Sequence, residues 1–449
     1  MKYINKRIKI SLLLAIAAVM FLASCNKDPY IPLKDPSPTQ QPTPTLATLL
    51  DDPTFSIFKA AVVKAGLIPT LSAASLRFTM FIPNDAAMTA SGLSLGVINA
   101  IPAASVTALV SYHIIPQVIA STSIPTFFPN FAYPTIYNPA PSLSPFLRLT
   151  TSPSNRNGFW LNNVPIVQLD IPAVNGVAHR IALATGPPSR YLWDRINTDA
   201  DLTIFRAAIL RADSGVVTTS TSGGLVFALS SIGANLTVFA PGNQQFRNLF
   251  GPATGLPLNN YVSAPGATNV GTTVTVSSTT GLLPGMAVTV TSGTGAFAPG
   301  TVVASVTNAT TFVVSAVPAT NLSGGAVVTG NPDPLYAGFL GSASISTQTV
   351  KGIAAYHILG LGRAFLNNFP TTATAYPTLL NGGIPGHPGV TLKVTFTGPT
   401  TITSATVKGV VNPVAANIAI NPTPDPNGTS DQHFINGVLH KIDQVLLPQ

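Results

Sequence analysis

The stretch that decides the fold is RFTMFIPNDAAM, residues 77–88, because it returns as NLTVFAPGNQQF at residues 235–246. Two shorter stretches recur after it in the same order: SYHII (111–115) as AYHIL (355–359), and NGVAHRI (175–181) as NGVLHKI (436–442). Three blocks that recur in one order indicate a duplicated domain.

Each block also predicts a local structure. Phe78 and Met80 alternate along the first block, which predicts a strand that Pro83 ends and a helix that follows. The last block begins with Asn-Gly. It predicts a tight turn that uses the positive φ of glycine and leads into a closing strand.

At these blocks the sequence resembles the fasciclin family, whose members carry a TVFAPTNxAF-like strand, a YH pair and an NGVxHxID-like final strand. The family-motif positions here are Phe81, Pro83, Tyr112, His113, Asn175, Gly176 and His179, then Phe239, Pro241, Tyr356, His357, Asn436, Gly437 and His440. The first copy departs from the pattern at Ala182, where the second copy has Asp443. The resemblance implies an α+β fold, with each domain a β-sandwich-like wedge with packed helices. It also implies structural roles for the motif positions.

The spacing of the blocks predicts the domain organisation. Phe81 and His113 are 32 positions apart, whereas Phe239 and His357 are 118 apart, a difference of 86. Within the extra length, apolar residues alternate with Thr or Ser in the runs 272–278, 286–291, 301–306, 311–315 and 326–328. We therefore expect fasciclin-like domains at 46–186 and 190–449, with a small all-β insertion at 262–332 in the second.

The N-terminus has the pattern of a bacterial lipoprotein signal. Four basic residues precede the apolar run 11–22, which ends in Leu-Ala-Ser-Cys at 22–25. Cys25 is the only cysteine of the chain. This pattern predicts a signal peptide over 1–24, acylation of Cys25 and a Pro-rich tether over 25–45. Because Asn rather than Asp follows Cys25, we expect the outer membrane, with its face left open.

The composition excludes several classes of function. The formal charge is +8, but four positive charges lie in the signal peptide, and 8% of residues are charged. No basic cluster with interleaved aromatic residues is present, so we expect no nucleic-acid partner. A single cysteine excludes internal disulfides and cysteine-rich zinc sites.

Candidate catalytic and metal motifs are weak. The GLSLG stretch at 92–96 fits G-x-S-x-G, but a helix and a polar turn are predicted before it instead of a strand. Four of the six histidines lie in the repeated blocks without a third ligand at fixed spacing, which favours neutral core histidines. His387 and His433 are expected in loops, and Arg211 to Asp213 at a helix end. We expect no metal, no cofactor and no catalytic residue.

The resemblance to the fasciclin family implies adhesion to a protein or polysaccharide ligand without catalysis. Together with the predicted anchor and tether, it leads us to expect an extracytoplasmic adhesion or binding lipoprotein. Six aromatic residues are expected in exposed loops: Phe127, Phe128, Phe131, Tyr133, Tyr137 and Trp160. Two alternatives remain: an enzyme that acts on envelope polysaccharide with Asp as acid and base, and a structural accessory of an outer-membrane complex.

Overall fold

The computed structural model describes residues 43–214, 223–360, 362–421 and 428–449. Pro44–Gln449 forms one compact unit. The predicted signal peptide, the acylated Cys25 and nearly all of the tether lie outside the described residues. Among the helices that are described, none is both long and apolar enough to cross a membrane.

The first copy combines short helices with a mixed sheet. Its helices are α1 (Leu46–Leu49), α2 (Ser56–Lys64), α3 (Ile68–Ser72), α4 (Asp85–Ala90), α5 (Leu95–Ala100) and α6 (Ala103–Tyr112). Its strands are β1 (Phe78–Pro83), β2 (Ile114–Ile115), β3 (Tyr133–Pro134), β4 (Thr150–Thr151), β5 (Pro153–Ser154), β6 (Trp160–Leu161), β7 (Val164–Ala173) and β8 (Gly176–Ile181). The main sheet has the order β2-β1-β8-β7-β6-β5. Its core includes Phe58, Met80 and Val110.

The second copy repeats these elements and adds others. Its helices are α7 (Leu192–Thr198), α8 (Thr203–Ala212), α9 (Leu225–Ser230), α10 (Asn243–Thr254), α11 (Asp333–Gly341) and α12 (Thr347–Tyr356). Its strands begin with β9 (Leu236–Pro241) and β10 (Tyr261–Val262), and continue with β11 (Thr268–Val270), β12 (Thr273–Thr275), β13 (Ala287–Ala296), β14 (Val303–Val306), β15 (Thr311–Val314) and β16 (Thr320–Asn331). They end with β17 (Ile358–Leu359), β18 (Thr374–Tyr376), β19 (Val390–Thr397), β20 (Thr401–Lys408), β21 (Ala416–Asn417), β22 (Gln432–Phe434) and β23 (Gly437–Ile442). Short 3-10 helices cover Pro53–Phe55, Ser121–Ser123, Ala200–Leu202, Leu366–Asn368 and Leu379–Gly382.

The same strand pairing organises both copies. β1 runs parallel to β8 with Phe78 opposite Gly176, and β9 runs parallel to β23 with Leu236 opposite Gly437. A short antiparallel strand pairs with the other edge of the first strand: β2 pairs with β1, and β17 pairs with β9. The α+β class with tandem copies is confirmed by this repeated topology.

The strands β10 to β16 form two small sheets with a core of their own. The sheets have the orders β10-β16-β13 and β11-β12-β15-β14, and Met286, Phe312 and Val328 are buried between them. Each predicted Thr- and Ser-rich run overlaps one of these strands. The short strands β10 and β11 were missed because two or three residues are too few to establish an alternating pattern.

Arg247 joins both ends of this β-rich segment to the second copy. Its guanidinium donates to the side chain of Asn260 (2.9 Å), just before β10, and to Asn331 (2.7 Å), the last residue of β16. It also forms a buried ion pair with Asp333 at 2.6 Å. The Asn243 side chain donates to the same carboxylate at 2.7 Å. This polar network therefore holds both ends of the β-rich segment against α10.

The glycine of each Asn-Gly pair is required by close packing. A Cβ at Gly176 would lie 2.0 Å from the carbonyl oxygen of Phe78, and one at Gly437 would lie 2.2 Å from that of Leu236. The predicted reason, a positive φ, is wrong for Gly437, which does not have one; Gly176 has a φ of 155°. The shared constraint is the approach of the closing strand to its parallel neighbour.

The asparagine of each pair joins three segments of its copy. Asn175 accepts from the N–H of Leu46 at 2.9 Å and donates to the carbonyl of Leu71 at 2.7 Å. Asn436 accepts from the N–H of Leu192 at 3.0 Å and donates to the carbonyl of Leu229 at 2.8 Å. Both side chains are fully buried. Each amide therefore ties the first helix and a later helix end to the closing strand.

Replacement of either asparagine by alanine should destabilise the protein strongly. Asn175→Ala or Asn436→Ala leaves a buried N–H and a buried carbonyl without partners, at a cost of about 2–4 kcal/mol. Urea unfolding followed by circular dichroism measures this loss. The control is Asn99→Ala, an exposed position that should change stability by less than about 0.5 kcal/mol. An equal loss of stability at the three positions would contradict the inferred role of the two buried amides.

Candidate functional site

The YH histidines are neutral and fully bonded within the protein. In His113, Nδ1 donates to the carbonyl of Leu109 (2.8 Å) and Nε2 accepts from the N–H of Thr185 (3.2 Å). His357 repeats this with the carbonyl of Ile353 (2.7 Å) and the N–H of Leu446 (2.9 Å). Burial lowers the pKa of both rings to about 4.

The histidines of the closing strands use the opposite tautomer. Nδ1 of His179 accepts from the N–H of Asp170 at 3.1 Å, and Nε2 donates to the carbonyl of Ile119 at 2.9 Å. His440 repeats both bonds with Asp431 (3.1 Å) and Ala364 (2.8 Å). These rings stack on the motif phenylalanines Phe81 and Phe239 at centroid distances of 5.5 and 5.9 Å. Among the described residues, no group of His, Cys, Asp or Glu side chains could hold a metal ion.

The remaining motif positions are buried with their partners. The Tyr112 hydroxyl donates to the carbonyl of Thr150 (3.0 Å), and the Tyr356 hydroxyl donates to that of Gly389 (2.5 Å). Burial raises the pKa of Tyr112 to about 12, although the charge of Arg363 opposes the shift. The two prolines, Pro83 and Pro241, end their strands opposite Ile181 and Ile442. The structure thus places all fourteen motif positions inside the framework.

Of the other candidates, Ser94 and Asp213 lie where the sequence predicted them, whereas His433 does not. Ser94 caps α5 by accepting from the N–H of Val97 (3.3 Å), and a helix and a turn precede it, so it lacks the geometry of a nucleophile elbow. Asp213 does end a helix, but its carboxylate is buried and accepts from two backbone N–H groups at 2.8 Å. His433 lies in strand β22 beside Arg363, not in a loop.

The predicted exposure of the six loop aromatic residues is wrong in part. Trp160 is buried in β6 and donates to the carbonyl of Asn157. Phe128, Tyr133 and Tyr137 are half-buried, and only Phe127 and Phe131 of the six are exposed. The partial burial of Phe128 comes from ring contacts with Phe369 and Tyr376, which are far away in the sequence and do not show in the local pattern. His387 does lie in a loop, where its ring bonds to the carbonyl of Pro448 at 3.0 Å.

The two copies pack against each other through the segment before β3. Phe128 contacts Tyr376 and Phe369 of the second copy at centroid distances of 4.2 and 6.1 Å. The side chain of Asn157 donates to the carbonyls of Asn367 (2.7 Å) and Phe369 (2.9 Å). The interface therefore combines aromatic contacts with direct hydrogen bonds.

Two adjoining cavities lie along this interface. One has a volume of about 240 Å³ and is bordered by Thr185, Arg190, His433 and Phe434. The other, of about 440 Å³, is bordered by Trp160, Leu366 and Thr401. Asn163 and Asp431 line both, so the cavities form one groove between the copies. Asp431 is the one carboxylate among the described residues that line it.

Comparisons with known proteins agree with the first copy. Residues 53–183 match the family model described as Fasciclin domain. The first copy matches the fasciclin-domain family. A solved FAS1 domain pair from the insect cell adhesion molecule Fasciclin I is similar at 12% identity and a TM-score of 0.30, with 87% of this chain and 96% of that chain covered. Curated proteins give no match. Because the second copy repeats the strand register and histidine bonds of the first, the α+β fold consists of tandem fasciclin-like domains.

Equivalent aspartates of the two fasciclin-like domains differ in environment. Asp170 and Asp431 both have a positive φ (54° and 49°) and lie nine positions before the closing-strand histidine. Burial raises the pKa of Asp170, but hydrogen bonds from Ser121 outweigh it and the net pKa is lowered. At Asp431, burial at the domain interface raises the pKa to about 7, against the bond from the N–H of Leu366.

The two aspartates therefore predict opposite effects of pH on stability. Below about pH 4, Asp431 is protonated whether the chain is folded or unfolded, and the stability linked to its raised pKa is present in full. That stability is lost as the pH rises through about 7. The lowered pKa of Asp170 contributes stability above its unfolded value, and this is lost as the pH falls.

Asp431→Asn should raise the free energy of unfolding at pH 8 by about 2–4 kcal/mol and change it little at pH 4. Asp170→Asn, the matched control, should lower it at pH 8. Urea unfolding at pH 4, 6 and 8 measures both. If the free energy of unfolding at pH 8 changed in the same direction in both variants, the two aspartates would not differ in environment as inferred.

Proposed function

We propose that the chain is an extracytoplasmic binding lipoprotein that holds protein or polysaccharide partners without catalysis. In this proposal Cys25 carries the lipid anchor in the outer membrane, and the tether separates the body from the lipid surface. Multiple acyl chains bind a membrane durably because each buried methylene adds about 0.8 kcal/mol. The packed domain pair then presents one continuous surface to a partner.

The observation that carries the proposal is an exposed apolar loop on the first domain. Leu143 and Phe146 are 82% and 88% exposed, and they project from a loop that its own hydrogen bonds shape. The Asn138 side chain donates to the carbonyl of Ser144 (2.8 Å) and accepts from the N–H of Ala140 (3.0 Å). Large apolar side chains held in water by a shaped loop are typical of interaction sites.

The alternative of a polysaccharide-cleaving enzyme has less support. Glycoside hydrolysis in most families needs two carboxyl groups that flank the scissile bond. The described lining of the interdomain groove supplies Asp431 alone. A role as a structural accessory of an outer-membrane complex would be detected by co-purification with a membrane partner.

The location can be tested by protease treatment of intact cells. We expect rapid loss of the body while a periplasmic control protein stays intact, because adhesion needs a surface-exposed domain pair. The Cys25→Ser variant should lose acyl labelling and leave the membrane fraction. Protection of the wild-type body until the outer membrane is opened would contradict the cell-contact function.

The apolar loop can be tested by a paired substitution. Leu143→Ser with Phe146→Ser should weaken binding of the labelled body to intact cells at least about tenfold, since two exposed anchors lose their apolar contact area. Val270→Ser is the control, because Val270 is 86% exposed but lies in the β-rich segment. Equal binding of the paired variant and the control would argue against the loop.

A further inference from the structure

A separate pocket between the two domains contains two arginines and no acid. Its volume is about 300 Å³, and Arg148 from the first domain and Arg363 from the second both line it. The side chain of Asn235 and the small residues before it complete one wall. The pocket differs from the groove around Asp431, since the two share none of their described lining residues.

Arg363 carries a buried charge without an ionic partner. The residue is only 3% exposed to solvent. It donates to the carbonyls of Phe434 (3.0 Å) and Ile435 (2.6 Å), to Asn235 Oδ1 (3.0 Å) and to the ring of His433. All of these acceptors are neutral, and no carboxylate of the described residues forms an ion pair with it. A buried cation without a counter-charge is costly, which favours an anion nearby.

Arg148 supplies a second guanidinium whose donors are partly unused. Its Nη1 donates to the carbonyls of Pro145 (2.8 Å) and Leu147 (2.7 Å). Within the described part of the chain, neither Nε nor Nη2 has a hydrogen-bond partner. The sequence between Asp85 and Asp170 contains no acidic residue. None of the described residues that line the pocket is acidic, so the field of both arginines reaches it without a counter-charge in the lining.

We propose that this pocket binds the oxyanion of an acidic sugar, either a carboxylate or a phosphate, within an envelope polysaccharide. The inference rests on the proposed binding function and names its ligand class. A guanidinium matches the paired oxygens of either group, and the bond is strengthened by charge on both sides. A volume of about 300 Å³ is at the lower end of ligand sites and suits one sugar residue. The oxyanion accepts from the unbonded Nε and Nη2 of Arg148, and the charge of Arg363 attracts it from the second domain.

The test uses four probes with the purified mature chain at low salt. Oligogalacturonate carries carboxylates, glucose 6-phosphate carries a phosphate on a sugar, and a neutral oligoglucan and inorganic phosphate are the controls. We expect calorimetry to detect one or both acidic sugars, with affinity that falls as salt rises. The acidic sugar that binds identifies the oxyanion. Equal affinity for the neutral oligoglucan, or for inorganic phosphate alone, would overturn the proposal.

Matched arginine variants locate the site. Arg148→Gln should weaken binding of the acidic sugar about tenfold or more, because it removes one charged donor. Arg77→Gln is the control: Arg77 donates to the carbonyls of Ala74 and Leu76 with the same sequence offsets, but lies outside the pocket. Equal losses in the two variants would overturn the assignment.

A substitution that adds a negative charge inside the pocket separates binding from folding. Asn235→Asp keeps the acceptor for Nε of Arg363 and supplies the missing carboxylate inside the pocket. We expect the melting temperature to stay the same or rise while binding of the acidic sugar is lost. Retained binding would overturn the proposal. If the wild-type body binds intact cells but Asn235→Asp binds them equally well, this inference fails and the proposed function stands. If the body binds no cells at all, the proposed function itself fails.

Discussion

The buried asparagine of each Asn-Gly pair is the interaction on which each domain depends. It closes a parallel strand pair whose partners are 98 positions apart in the first domain and 201 apart in the second. Loop-closure entropy grows only slowly with length, by roughly 0.6 kcal/mol for each doubling. The longer connection of the second domain is therefore inexpensive, provided that the added chain folds by itself. The β-rich segment has a core of its own, and the Arg247 network joins both of its ends to the second domain.

The two domains have the same backbone fold, but their side chains differ where the domains contact each other. Thr79 bonds to the carbonyl of Gln117 and the N–H of Ile119, and Thr237 bonds to those of Gly362 and Ala364. These bonds make Arg363 the counterpart of Val118, which is 48% exposed in the first domain. One domain therefore presents an apolar side chain to water where the other buries a cation against its neighbour. Burial, with the charge of Arg363 as a second cause, holds the pKa of His433 well below its usual value.

The sequence was sufficient for the features that depend on local pattern. Alternation and the repeated blocks predicted the central strands and their duplication, because both domains use the same hydrogen bonds. The Asp nine positions before His179 and His440 was also present in both copies and could have been found by a closer comparison. The burial of Arg363 could not be predicted, because it arises from contacts with Asn235, His433 and Ile435, which are far away in the chain.

Side chains whose polar atoms are hydrogen-bonded within the protein maintain the fold, whereas side chains without such bonds are available to a partner. In the four motif histidines, both ring nitrogens are bonded within the chain, so a ligand would have to break a buried hydrogen bond to reach them. Leu143 and Phe146 have no such internal role, and Arg148 keeps donors that the described chain does not use. A partner that contacts these groups gains apolar burial or charge pairing without disrupting the core. Recognition is therefore favoured on the loop and at the domain junction, while the repeated motif maintains the fold beneath them.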